Sequence, residues 1–139
     1  MTRVLSSETG TMTQLLQGST WEAEAYQHAL ALKDLPDTWD RPGSRKPTIP
    51  AINAALKYIE GVAELELFVL GAPFIAPMSD GGVQLEWERG QRQLEIELLP
   101  DGSARFLASD AGEITEGELG PMLSPPDVKS LFGWLAAAP

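Results

Sequence analysis

Hydrophobic and polar residues alternate most regularly between positions 83 and 98. Val83, Leu85 and Trp87 are separated by Gln84 and Glu86 and followed by Glu88, while Leu94, Ile96 and Leu98 are separated by Glu95 and Glu97 and preceded by Gln93. A period of two places the apolar set on one face of a strand and the polar set on the other, so two half-buried strands are predicted. Gly90 and Gln91 lie between them. A two-residue turn with glycine first, the type II′ form, sets Trp87 opposite Leu94, Leu85 opposite Ile96 and Val83 opposite Leu98. The next turn, Pro100-Asp101-Gly102, has the composition of a three-residue loop built on a type I turn with a G1 bulge. It brings Leu99 to Ser103, Leu98 to Ala104, Glu97 to Arg105, Ile96 to Phe106 and Leu94 to Ala108. A two-residue turn at Asp101-Gly102 would set Glu97 against Phe106, so the apolar pattern selects the longer loop.

Helical spacing governs the flanks. Ser19 and Glu22 form an S-x-x-E capping box beside Trp21, Ala25, Ala29 and Leu32. This predicts a helix over residues 20–33 and leaves 1–18 as a flexible N-terminal arm on a single domain spanning 19–139. Residues 35–50 hold four prolines and a glycine, which exclude a regular helix or a central strand, and Trp39 within them is expected to anchor this linker. Thr48 then caps a second helix, with Pro50 in its first turn and Ile52, Ala55, Leu56, Ile59 and Val62 on its buried side. Residues 64–70 suit either an extension of that helix or a short strand. Residues 110–120 are acidic and glycine-rich, with at most a short edge strand around Ile114. Ser124 and two prolines open a last helix carrying Val128, Leu131, Phe132 and Leu135 on one side. A lone helix of this length is marginal in water, so it must dock, and the apolar sheet face is its natural receptor. The expected fold is α+β: an antiparallel three- to four-stranded meander with helices packed on one face, the C-terminal helix among them.

Composition narrows the function. The 139 residues carry 20 acidic and 10 basic side chains, a net charge of -10. Residues 80–118 alone hold ten acids and three bases. Such a surface repels phosphate backbones and anionic headgroups, which argues against direct nucleic-acid binding and against a membrane role. The absence of cysteine removes disulfides, thiolate nucleophiles and zinc-thiolate sites. No signal-like or membrane-spanning window is visible, so a cytoplasmic location is expected. With His28 as the only histidine, common triads and imidazole metal sites cannot be assembled, and neither a G-x-S-x-G elbow nor a phosphate-cradling G-K-S/T loop is present. No catalytic residue, metal ligand set or cofactor is therefore expected. Arg41, Arg45 and Lys46 form the one local basic cluster, in the linker, and read as solvated. Trp21, Trp39, Trp87 and Trp134 fall in separate elements and read as structural anchors rather than a ligand cage.

The registers above gather Glu86, Glu88, Glu95 and Glu97 on the outward face of the meander with Arg105. Glu97 faces Arg105, a favourable pair, but Glu86 faces Glu95, and like charges so placed cost roughly 0.2–1 kcal/mol. One explanation is a solvated face whose charge keeps the sheet soluble. The other is a docking surface whose repulsion is relieved by the Lys or Arg side chains of a basic protein partner. The second points to a non-enzymatic binding or inhibitory module, antitoxin-like or an adaptor. A small carboxylate-dependent hydrolase or metal-dependent enzyme using the same glutamates is the alternative.

Several stretches also occur in a recognisable order: Leu35-Pro36-Asp37-Thr38-Trp39-Asp40, Pro73-Phe74-Ile75-Ala76-Pro77, Gly81-Gly82-Val83-Gln84-Leu85-Glu86-Trp87, Leu94-Glu95-Ile96-Glu97 and Pro100-Asp101-Gly102. Over residues 30–110 this resembles a family of small uncharacterised bacterial proteins with a tryptophan-aspartate linker, a G-G-V-x-L-E-W strand and an L-E-I-E-x-x-P-D-G hairpin. Arg41 stands where that family usually has glycine. The resemblance implies a common fold and brings no activity or site residue with it.

Overall fold

Proline, glycine and the two hydrophobic periods divide the described residues into eight principal elements. The computed structural model describes residues 10–119 and 125–139. Helix α1 (Gly10–Ala31) passes into a 3-10 turn over Leu32–Asp34. It begins ahead of the expected Ser19 cap, which lies within it, because residues 11–18 contain no proline and include good helix formers such as Leu15, Leu16 and Gln17. Of the expected N-terminal arm, residues 10–18 are helical and 1–9 lie outside the described residues.

Helix α2 (Ile49–Glu64) starts where expected. Thr48 has extended backbone angles, and its Oγ1 accepts from the Ala51 N–H at 3.1 Å. The same hydroxyl donates to the Pro100 carbonyl at 2.6 Å, which ties the helix start to the distant Pro100-Asp101-Gly102 turn. Ala25 and Ala29 of α1 and Ala51 and Ala55 of α2 are all buried, and the two helices lie against one another. Small side chains at such a contact let helix axes approach closely. α2 ends at Glu64, and the ambiguous stretch that follows is a series of turns rather than a helix or strand.

Five antiparallel strands follow in sequence order, β1 (Phe74–Pro77), β2 (Val83–Arg89), β3 (Arg92–Leu98), β4 (Ala104–Asp110) and β5 (Glu113–Leu119). This corrects the expected three to four strands. β1 is too short to show a period, and β5 is a full seven-residue strand where only a fragment around Ile114 was expected. The central registers are those the hydrophobic pattern selected. Trp87 pairs with Leu94, Leu85 with Ile96 and Val83 with Leu98; Glu97 pairs with Arg105, Ile96 with Phe106 and Leu94 with Ala108. Gly90 takes the positive φ, 61°, that a type II′ turn requires at its first position. In the longer loop Gly102 has φ 90°, the Leu99 N–H donates to the Ser103 carbonyl at 2.7 Å, and Asp101 Oδ1 accepts from the Ser103 N–H at 2.9 Å.

The β4–β5 turn is less regular. Ala111 and Gly112 both have positive φ, 53° and 91°, as a type I′ turn demands, but alanine pays a steric penalty there that glycine does not. Ala111→Gly is expected to raise stability by roughly 0.5 kcal/mol, the relief of that strain less the greater entropy glycine loses on folding. A thermal melt checks it, and an unchanged or lower midpoint would show that the turn carries no net strain.

Helix α3 (Pro125–Ala136) closes the core; the expected Ser124 cap lies outside the described residues. Val128, Phe132 and Leu135 are buried, Leu131 only partly, and α3 lies against β2 and β3 as α2 does. The Phe132 ring meets Trp87 edge-on at 4.8 Å and 88°, which seats α3 on the apolar side of β2. Arg92 secures the far end of the helix. Its Nη1 donates to the Trp134 carbonyl at 2.6 Å, its guanidinium lies 4.9 Å from the centre of the Trp134 ring, and Nε meets Asp110 at 3.1 Å. A cation at the last carbonyls also suits the helix dipole. No described helix is long and apolar enough to cross a membrane.

Candidate functional site

Strand pairing arranges the outward side chains in rows across the sheet. One row reads Phe74, Glu86, Glu95, Leu107, Glu116, and the next reads Ala76, Gln84, Glu97, Arg105, Glu118. Glu88 lies on a third row with Gln93, Ser109 and Ile114. The structure thus brings together all five expected site residues, Glu86, Glu88, Glu95, Glu97 and Arg105. It adds Glu116 and Glu118, so Arg105 is the one basic residue among six glutamates on the described face. Two large apolar residues, Phe74 and Ile114, are 65% and 63% exposed at its margins.

The like-charge contact is real and is only partly offset. Glu86 stands directly opposite Glu95. The Gln84 amide nitrogen donates to Oε1 of both, at 3.2 Å each, and so draws the two carboxyls toward one donor. Arg105 is committed elsewhere: its Nη2 lies 2.7 Å from Glu97 Oε1 and its Nε lies 3.2 Å from the same oxygen. Charge-assisted pairs of this length are the stronger kind, although Arg105 itself is largely in water.

These surroundings separate the proton affinities of adjacent carboxyls. Glu95 is pushed up from 4.5 to about 7, first by partial burial, then by its hydrogen bond and repulsion with Glu97 and by the Glu86 charge. Glu97 moves down, because it accepts that hydrogen bond and because Arg105 stands beside it. Glu86 moves up through partial burial and its contact with Glu88. Near neutral pH the Glu95–Glu97 pair therefore shares a proton for much of the time.

A hollow of about 220 Å³ lies beside this pair, lined by Glu97, Arg105, Leu107, Glu116 and Glu118. It falls short of the roughly 300 Å³ at which small-molecule sites begin. Among the described residues, no group of three His, Cys, Asp or Glu side chains is disposed to hold a metal ion.

The expected anchors separate into two kinds. Trp87 is buried and donates its indole N–H to the Gly71 carbonyl at 3.2 Å, while Trp21 and Trp134 are partly buried against the core. Trp39 closes the linker on itself, its indole donating to the Arg45 carbonyl at 2.8 Å. His28 is exposed on α1, and Arg41, Arg45 and Lys46 are exposed in the linker.

Glu116 and Glu118 were missed although a signal existed. Once Ala111 and Gly112 are taken as a two-residue turn, Ile114, Glu116 and Glu118 share one parity and fall on the outward face. No family model, curated protein or solved structure matches the chain.

Proposed function

We propose that this protein is a non-enzymatic binding module, antitoxin-like or an adaptor, that docks a more basic protein through the glutamate face. The observation that supports this reading is the Glu86–Glu95 pair: two carboxyls held opposite each other, sharing one amide donor, with Arg105 already occupied by Glu97. A lysine or arginine set between them replaces a repulsion with two attractions, so the face gains more from a basic partner than a dispersed acidic surface would. Phe74, exposed in the same row, supplies an apolar contact beside the charges. The reading takes the helices to cover the opposite face, leaving this one open, and includes a cytoplasmic setting.

The test is a pull-down with wild type and with Glu86→Gln/Glu95→Gln, at low and moderate salt. A basic partner retained by wild type and lost by the double variant, more readily at moderate salt, is the expected result. A variant that is more stable and keeps every partner would identify the face as merely solvated.

One observation favours the enzyme alternative. Adjacent carboxyls whose proton affinities are driven apart, as at Glu95 and Glu97, are what acid–base catalysis uses. Titration with divalent metals followed by melting tests the metal-dependent form of that reading, and an unmoved midpoint counts against it.

A further inference from the structure

We infer that the open edge of β5 accepts an extended segment of the partner as a sixth strand, and that this segment alternates basic with apolar residues. The inference rests on the docking reading above and adds where and how the partner joins.

Three observations carry it. The first is the backbone. Among the described strands β5 pairs with β4 alone, over seven consecutive residues with no bulge. The turn closes on Asp110 and Glu113, so that pair exchanges both backbone hydrogen bonds, and bonded and non-bonded pairs alternate from there. Ile114, Glu116 and Glu118 consequently turn their N–H and C=O groups away from β4, toward the open edge. Sheet edges are commonly guarded by shortness, proline, a bulge, charged side chains or a covering element. β1 is guarded in this way, since it has four residues, ends in Pro77 and lies near α1. β5 has neither proline nor bulge, and its guard is the charge of its glutamates, which repels another acidic edge but not a basic strand.

The second observation is charge. Beyond its outward glutamates 116 and 118, β5 carries Glu113 and no basic residue. A second copy adding antiparallel to this edge would bring three more glutamates to it, whereas a basic strand places Lys or Arg over Glu116 and Glu118. The third lies on the opposite face of the same edge. There α3 leaves a groove of about 370 Å³ whose wall is mostly apolar, from Phe106, Ala108, Leu131 and Trp134, with Asp110, Glu113, Thr115 and Ser130 completing it. Next to it Phe106 packs over Gly117, where a Cβ would come 2.8 Å from Phe106 Cε1. Successive side chains of an added strand point to opposite faces, so the acidic side selects basic residues at one parity and the groove selects apolar residues at the other.

The probe is a short peptide of alternating lysine and valine, titrated into the isotope-labelled full chain. Controls are a peptide of the same composition in block order and the alternating peptide with N-methyl groups on one backbone edge. The alternating peptide should slow amide exchange at Ile114, Glu116 and Glu118, and both controls should bind roughly tenfold more weakly or worse. Glu116→Pro removes an edge N–H that β4 does not use, and should abolish the effect. Glu118→Lys leaves the backbone alone and should weaken binding on its own, so it decides the matter if the proline variant does not fold.

Equal binding of the N-methylated peptide, protection elsewhere, no binding at all, or a dimer built through this edge in sedimentation would each overturn the inference. Should the N-methylated peptide bind equally while Glu86→Gln/Glu95→Gln weakens it, the docking face stands and only strand addition fails. If neither change matters, both fail.

Discussion

Phe132→Ala is expected to lower the stability of the fold by about 3–5 kcal/mol, the range for removing a buried phenylalanine. Phe132 is fully buried, and its ring meets Trp87 edge-on at 4.8 Å. Truncation therefore removes transfer energy, leaves a cavity beneath α3 and deletes an aromatic pair worth roughly 0.5–1.5 kcal/mol beyond its area. The cavity cannot easily close. Trp87 is held from the other side by its indole bond to the Gly71 carbonyl, and the end of α3 is pinned by Arg92 through the Trp134 carbonyl. Chemical denaturation measures the loss, and Phe132→Leu should recover part of it by refilling volume. A loss below about 1 kcal/mol would mean that α3 docks by some means other than this contact.

The part of the fold that could be read from the sequence is the part where several local rules agree. In β2 to β4, side-chain alternation, Gly90 and the Pro100-Asp101-Gly102 loop each specify the same register, and a slip of one residue would expose every buried side chain. The strands at either edge carry no such agreement. β1 has one buried residue, Ile75, beside a Phe74 that faces water, so neither period can be read. In β5 the inward positions are Glu113, Thr115, Gly117 and Leu119, of which only Leu119 is a buried apolar residue, and Phe106 already fills the space a side chain at 117 would need. Its turn places alanine at positive φ, where glycine, asparagine or aspartate would have announced a hairpin.

The candidate site divides along the same line. Glu86, Glu88, Glu95, Glu97 and Arg105 could be placed because the central register was legible, and Glu116 and Glu118 were lost with β5. The sharing of the Gln84 amide by Glu86 and Glu95 was beyond reach for a different reason. A register says which side chains are neighbours. Which oxygen a glutamine bonds, and how much water that leaves on a glutamate, depends on rotamers that the pattern does not encode.

Glu95→Gln should stabilise the protein by on the order of 1 kcal/mol at about pH 8, with the difference vanishing near pH 5. The folded state holds the proton of Glu95 up to about pH 7, against an ordinary value of 4.5. Between those values the native state binds more protons at this position than the unfolded chain, so stability falls as pH rises through the window. Above it the native state bears the full cost of ionising a carboxyl set between Glu86 and Glu97. Because Glu95 is only half-buried, solvent screens much of the roughly 1.4 kcal/mol that each tenfold change in proton affinity represents, which is why the expected gain is modest. Glutamine reproduces what the protonated acid does: its carbonyl can accept from Gln84 and its amide can donate to Glu97. Glu97 titrates in the opposite sense, since its lowered proton affinity contributes stability that is lost only as pH falls, below the window in which the variant differs. Denaturation of both proteins across this pH range separates the two effects. An advantage for the variant that is the same at pH 5 and pH 8 would assign it to packing, and the charge conflict on which the docking reading depends would lose its energetic support.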